Sequence, residues 1–234
     1  QARLATLAAI KSLQQRPEVV TAEPNYIRQP LYEPNDPGYK YQWHYPLIGL
    51  EQAWDITRGS ADVVVAVLDQ GWQFDHEDFV GVQTVSPYDF IDNDANPSEP
   101  TLDDSHGMHT AGTIFAATNN TTGIAGIAPL CRLMPVRVLD NEGSGSSEAI
   151  ANGFAWAAQQ GAEVINASLG FPNPENQPPV DPGQPLSGAV QQCGNAGVVM
   201  AVSSGNDNAD YVSYPAAYTP CIAVGASTFN NERA

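Results

Sequence analysis

One run, Asp62-Val63-Val64-Val65-Ala66-Val67-Leu68, constrains the fold more than any other stretch of this chain. It is apolar at successive positions, so it cannot present one wet face and one dry one. Such a run reads as a strand buried on both sides, the situation of a parallel sheet covered by helices on both faces. The rest of the chain repeats that theme. Helix is expected over Gly49 to Thr57, Gly107 to Ala117, Ser147 to Gln160 and Ser187 to Asn195. Strands are expected at Leu133 to Val138, Glu163 to Ala167, Val198 to Val202 and Cys221 to Val224. A loop rich in Asp, Asn, Pro and Ser spans Asp89 to Asp104. Strand–helix alternation of this kind predicts an α/β fold with a mostly parallel sheet and helices on both faces.

The N-terminal stretch has a different grain. Leu4, Leu7, Ile10 and Leu13 recur every third residue and predict one stripe of an amphipathic helix, which Arg16-Pro17 stops. Val19-Val20-Thr21 reads as a short strand. Between Gln29 and Gly38 the chain holds Pro30, Pro34, Pro37 and Gly38, a composition that reads as an exposed linker. A boundary there separates residues 1–30 from 31–234.

The chain carries 26 acidic against 9 basic side chains, a formal charge of −17, and Lys11 and Lys40 are its lysines. Nucleic-acid backbones and anionic membrane surfaces would be repelled, so neither is an expected partner. No apolar run is long enough to span a bilayer, and a targeting segment is expected outside these residues. Carboxylates at this density suit hard cations such as Ca²⁺, although most surface acids are simply solvated. Cys131, Cys193 and Cys221 lack C-x-x-C spacing, which argues against zinc or a redox motif. One internal disulfide is possible at most, with Cys193–Cys221 the preferred pair in an oxidising compartment. The other reading is three small buried side chains.

In open α/β sheets functional groups gather beyond the carboxyl ends of the strands. Asp69, Ser168 and Asn206 each come after an expected strand, while His106 opens a helix. Two histidines, His106 and His109, three apart on that helix could bind a metal with Asp69, as a metal-dependent hydrolase would require. However, the zinc-protease pattern demands H-E-x-x-H, and no glutamate comes after either histidine. An Asp and then a His is the chain order in which an acid orients an imidazole that serves as general base for a serine.

Five segments then resemble, in order, the motifs of the subtilase family of serine peptidases. Val63 to Asp69 with Gly71, and then His76-Glu77-Asp78-Phe79, is similar to the aspartate motif. His106-Gly107-Met108-His109-Thr110-Ala111-Gly112-Thr113 resembles the histidine motif. Asn119 to Pro129 looks like the loop after it, Val164 to Gly170 like the substrate-binding strand, and Val199 to Asn206 like the segment ending in the oxyanion-hole asparagine. The resemblance covers roughly Asn35 to Ala234 and implies a subtilisin-like fold and serine endopeptidase activity on polypeptide substrates outside the cell. It implies catalytic roles for Asp69, His106 and Asn206. Ser168, Leu169 and Gly170 would meet an extended substrate, with Gly170 and Gly205 leaving room for a substrate side chain. Asp78, Asn120 and Asp36 or Gln42 would hold a structural Ca²⁺. Glu18 to Tyr26 resembles the end of the family's inhibitory, folding-assisting prodomain, which would make residues 1–30 its C-terminal part.

The chain departs from the family pattern in places. The serine motif, Gly-Thr-Ser-Met-Ala in type, does not occur up to Ala234, and Ser203 and Ser204 match cleft-wall positions instead. The expectation is therefore a fragment, inactive alone, whose partner is the remaining C-terminal part of the protease. The alternative is a catalytically inactive subtilase-like binding or scaffold protein. Gln70 stands where a small hydroxyl residue is usual, and Met108 and Thr110 replace the commoner Thr and Val.

Overall fold

The computed structural model describes residues 2–24, 32–98, 105–171, 177–208 and 210–234. The chain divides into two units, 1–31 and 32–234. In the first, Ala2–Leu13 forms helix α1, with Leu7 and Leu13 exposed. The strand expected at Val19 to Thr21 does not form. Val20 is 99% exposed and pairs with no described residue, and β-propensity without a neighbour to complete the ladder does not hold an extended segment. The end of the prodomain-like segment, from Asn25, lies outside the described residues.

The second unit carries a six-stranded sheet in the order β2-β3-β1-β4-β5-β6, parallel throughout. Its strands are β1 (Val64–Asp69), β2 (Tyr88–Asp89), β3 (Arg132–Arg137), β4 (Val164–Ala167), β5 (Val199–Ser203) and β6 (Cys221–Val224). The order reverses at β1: β2 and β3 lie on one side of it, and the chain then crosses to β4 on the other. β1 is buried along its whole length, and its two faces serve two cores. Val64, Ala66 and Leu68 pack with Phe154 of α5 (Ser147–Gln159) and Val190 of α6 (Leu186–Asn195). Val65 and Val67 pack with Trp72 and with Ala111 and Phe115 of α4 (His106–Phe115). Alternation on a two-sided strand is what the valine-rich run required.

The helices have local causes. Ser105 and Ser146 cap α4 and α5, each accepting a backbone N–H three residues on, from Met108 and Ala149. The expected helix over Gly49 to Thr57 shrinks to α3 (Leu50–Trp54), behind the short α2 (His44–Leu47). These pieces close a third core of Tyr45, Leu50, Trp54 and Ala125.

Two further expectations are corrected. The described part of the Gln29–Gly38 linker is no exposed spacer: Pro34 and Asp36 are buried, and Gly38 N–H donates to the Gly123 carbonyl at 2.7 Å. Its prolines mark a segment fixed onto the sheet domain by hydrogen bonds. The Cys193–Cys221 disulfide is absent, and all three cysteines are free. Cys193 donates its S–H to the Phe154 carbonyl at 3.3 Å, and burial pushes the Cys193 and Cys221 thiols up to about 11.

Helix α4 lies tight against the loop after β1 because Gly107 has no side chain. A Cβ there would stand 2.3 Å from the Gly71 carbonyl oxygen, a backbone atom that cannot swing aside. Gly107→Ala is expected to cost about 1–3 kcal/mol as an overpacking change. Chemical denaturation checks this, and an unchanged midpoint would mean that α4 is not wedged there.

Candidate active site

Asp69 is the last residue of β1, and His106 is the first of α4. The strand carries the acid to the carboxyl edge of the sheet, and the helix start brings the imidazole over it. His106 Nδ1 stands 2.8 Å from Asp69 Oδ1, with the ring N–H as donor to the carboxylate. Asp69 is completely buried, and such a group needs its oxygens bonded. Oδ1 also accepts Gln70 N–H at 2.8 Å, and Oδ2 accepts the Thr110 hydroxyl at 3.1 Å. The imidazole, by contrast, is 51% exposed, and no described residue hydrogen-bonds its Nε2.

The hydrogen bond to Asp69 raises the His106 pKa, against an opposing contribution from partial burial. Charge sharing with the carboxylate favours the imidazolium, so the ring titrates above its ordinary value of about 6.5. The raised pKa acts in two opposite senses. The stabilisation from this pair is complete below the ordinary imidazole pKa and is lost as pH rises through the raised one. Base strength at Nε2 appears over the same interval, because a proton acceptor must be neutral.

His106, Ser168, Leu169 and Gly170 line one cleft of roughly 610 Å³, together with Gln70, Leu139, Ile150 and Phe171. Gly205 and Asn206 line a second cleft of about 660 Å³ with Ser204 and Ser213. The structure thus brings together Asp69 and His106, and His106 with the 168–170 segment, but assigns Asn206 to another cleft, where it is exposed. The 168–171 segment is tied to the residues around that second cleft: Ser203 Oγ donates to the Leu169 carbonyl at 3.0 Å, and Phe171 N–H donates to the Tyr214 carbonyl at 2.9 Å. Ser203 is therefore occupied with cleft architecture, as its motif position suggests.

Residue type alone does not reveal two of the contributors. Thr110 reads in the sequence only as a departure, yet it lies one helical turn after His106 and turns its hydroxyl to Asp69. Gln70 reads as a lost hydroxyl, yet its Oε1 accepts the His106 backbone N–H at 3.1 Å. An i, i+4 polar pair below an acid is the available signal for Thr110. His109 is exposed, and no cluster of three or more metal-binding side chains occurs among the described residues.

The residues expected to hold Ca²⁺ meet around the 118–124 loop. Asp36 accepts Asn119 N–H at 2.7 Å and Asn120 N–H at 3.1 Å. Asp78 accepts Asn120 Nδ2–H at 3.0 Å and Ile124 N–H at 2.8 Å. At Gly123, with φ +50°, a Cβ would lie 2.0 Å from Asp78 Oδ2, so glycine alone lets the loop close on the acid. Asp36 and Asp78 are 4% and 3% exposed, and neither has a cationic partner among the described residues. Two buried carboxylates on one loop fit a hard cation. Gln42 does not join them: its amide spans Ala125 N–H, the Ala125 carbonyl and the Tyr45 hydroxyl.

The Asp69–His106 pair thus stands at the carboxyl edge of a central strand in a parallel α/β sheet, the place where such folds gather functional groups. The sequence model of the subtilase family matches residues 60–234. The thermophilic serine proteinase of Bacillus sp. (strain AK1) is 40% identical over 220 residues, covering 94% of this chain and 52% of that protein. The halolysin-like extracellular serine protease Nep of Natrialba magadii is 36% identical over 220 residues, covering 92% and 39%. Among solved structures, a protease from Pseudoalteromonas arctica superposes with a TM-score of 0.75 at 31% identity, over 87% of this chain and 68% of the other. The chain belongs to the subtilase family. It spans about half the length, or less, of these two curated relatives.

Replacing Asp69 by Asn should bring the His106 titration midpoint, monitored by NMR of its ring protons, down towards the ordinary imidazole value. A midpoint that Asp69→Asn leaves in place would mean that the carboxylate does not set it.

Proposed function

We propose that the whole protein is a secreted serine endopeptidase, with Asp69 and His106 as two members of its triad and the serine supplied by residues beyond those of this chain. The single observation that carries this reading is the buried carboxylate on Nδ1 of a half-exposed imidazole that lines an open cleft. Asp69 fixes the tautomer and stabilises the imidazolium as it forms. His106 Nε2 takes the proton of the serine hydroxyl during attack on the scissile carbonyl, then delivers it to the leaving amine. Asn206 donates its side-chain amide to the oxygen that becomes charged in the tetrahedral intermediate.

An extended polypeptide adds as a strand along Ser168, Leu169 and Gly170. Gly170 and Gly205 leave space for a substrate side chain beside the two clefts. Secretion is supported by the extracellular character of the Natrialba relative, and no described helix is long and apolar enough to cross a membrane. Residues 1–30 are the end of a prodomain that assists folding and inhibits the peptidase. Asp36 and Asp78 hold a structural Ca²⁺, whose charge offsets the two buried acids, while the Asn120 amide is taken up by Asp78 and by Thr122 N–H.

His106→Ala in the whole protein should lower turnover by several orders of magnitude with the fold retained. Asn206→Ala should lower it by about 10²–10³, the range known for this donor in subtilisin, a member of the same family. Near-normal turnover in His106→Ala would remove His106 from the catalytic machinery, and a parent that hydrolyses no peptide would favour a binding or scaffold role instead. Chelation should lower the melting temperature of the parent, by the equivalent of about 2.7 kcal/mol at 100-fold saturation, and should do nothing to Asp78→Asn. An unmoved melting temperature in the parent would rule out a structural role for the cation.

A further inference from the structure

A chain of polar side chains runs beneath the start of α4. Gln70, next after Asp69, is buried. Its backbone N–H donates to Asp69 Oδ1 at 2.8 Å, and its Oε1 accepts the His106 backbone N–H at 3.1 Å. At the other end of the same side chain, Nε2 donates to the Asn141 carbonyl at 3.2 Å. One residue thus grips the acid through its main chain and the imidazole's residue through its side chain.

The first N–H groups of a helix have no partner within it. Ser105 Oγ serves Met108 N–H, and Gln70 serves His106 N–H, so the start of α4 is fixed relative to the end of β1. A side-chain amide bonded at both ends is held in one rotamer. Asn141 is held in turn, because its Oδ1 accepts Arg137 Nη2–H at 2.9 Å. Arg137 Nη1 donates to Asp89 Oδ2 and Asp92 Oδ2, each at 2.8 Å. The guanidinium is almost completely buried, and its planar fork meets three acceptors in fixed directions.

We propose that Gln70 is a positioning residue for the Asp69–His106 pair, set in its rotamer by Arg137 through Asn141. This rests on the reading of His106 as general base. Small displacements at a reacting group are costly, so a looser helix start lowers kcat while leaving substrate binding to the 168–170 wall.

Two variants of the whole protein test it. Gln70→Met preserves length and volume and removes both side-chain hydrogen bonds. Asn141→Ala, at an exposed position, releases only the link to Arg137. Gln70→Met should lower kcat by about tenfold to 100-fold with KM within about threefold. It should also move the acid limb of the pH–rate profile, and the NMR titration midpoint of His106, towards the ordinary imidazole value. Asn141→Ala should do the same to a smaller extent. A folded Gln70→Met with unchanged kcat and ring midpoint overturns the proposal. So does a loss of kcat that tracks the melting temperature while the midpoint stays in place. If Gln70→Met fails to fold, Asn141→Ala decides, and an unmoved midpoint there sinks the idea. Should the parent hydrolyse nothing, the reading of His106 as a base fails, and the ring midpoints still decide the positioning role without any turnover.

Discussion

The bond from His106 Nδ1 to Asp69 Oδ1 is the interaction around which the second unit is organised. A carboxylate excluded from water is tolerable only with its oxygens satisfied. Here that condition dictates where three elements must meet. β1 must be covered on both faces so that its last residue is dry. α4 must begin directly above that residue, which Gly107 permits by closing on Gly71. Thr110 must sit one turn further on to serve the second oxygen. The ring is left with Nδ1 bound inward to the acid, while Nε2 has no hydrogen-bond partner among the described residues.

The remainder of the domain holds this arrangement from the sides. Towards β2, the Arg137 ion pairs with Asp89 and Asp92 anchor the loop that reaches Gln70. Towards β5, Ser203 fixes the Leu169 carbonyl and so the strand-like wall of the cleft. Residues 32–42 are bound to the 118–124 loop through Asp36, and that loop encloses Asp78. Neither Asp36 nor Asp78 has a cationic side-chain partner among the described residues, whereas Asp89 has Arg137.

Much of this is legible in the sequence, and the reasons are physical. The Asp62–Leu68 run allows only a two-sided strand, and β1 occupies Val64–Asp69. The expected Gly107–Ala117 and Ser147–Gln160 helices appear as His106–Phe115 and Ser147–Gln159, with boundaries set by serine caps. Local reading fails where a partner decides the outcome. Val19 to Thr21 have the composition of a strand but no partner among the described residues, and Pro34 and Pro37 look like a linker although hydrogen bonds at Asn35, Asp36 and Gly38 bind that segment down. Gln42 carries the right donor atom for a cation, but Ala125 and Tyr45 occupy its amide. Gln70 and Thr110 read as departures because their roles depend on which atoms stand across a helix–strand contact, which residue type alone does not encode.

The most direct test of the Asp69–His106 pair as catalytic machinery is labelling of the whole protein with a serine-directed phosphonate, with the modified residue then mapped. One modified serine outside residues 1–234 is expected, with labelling abolished by His106→Ala. Modification at Ser203 or Ser204, or labelling that survives the loss of the imidazole, would contradict it.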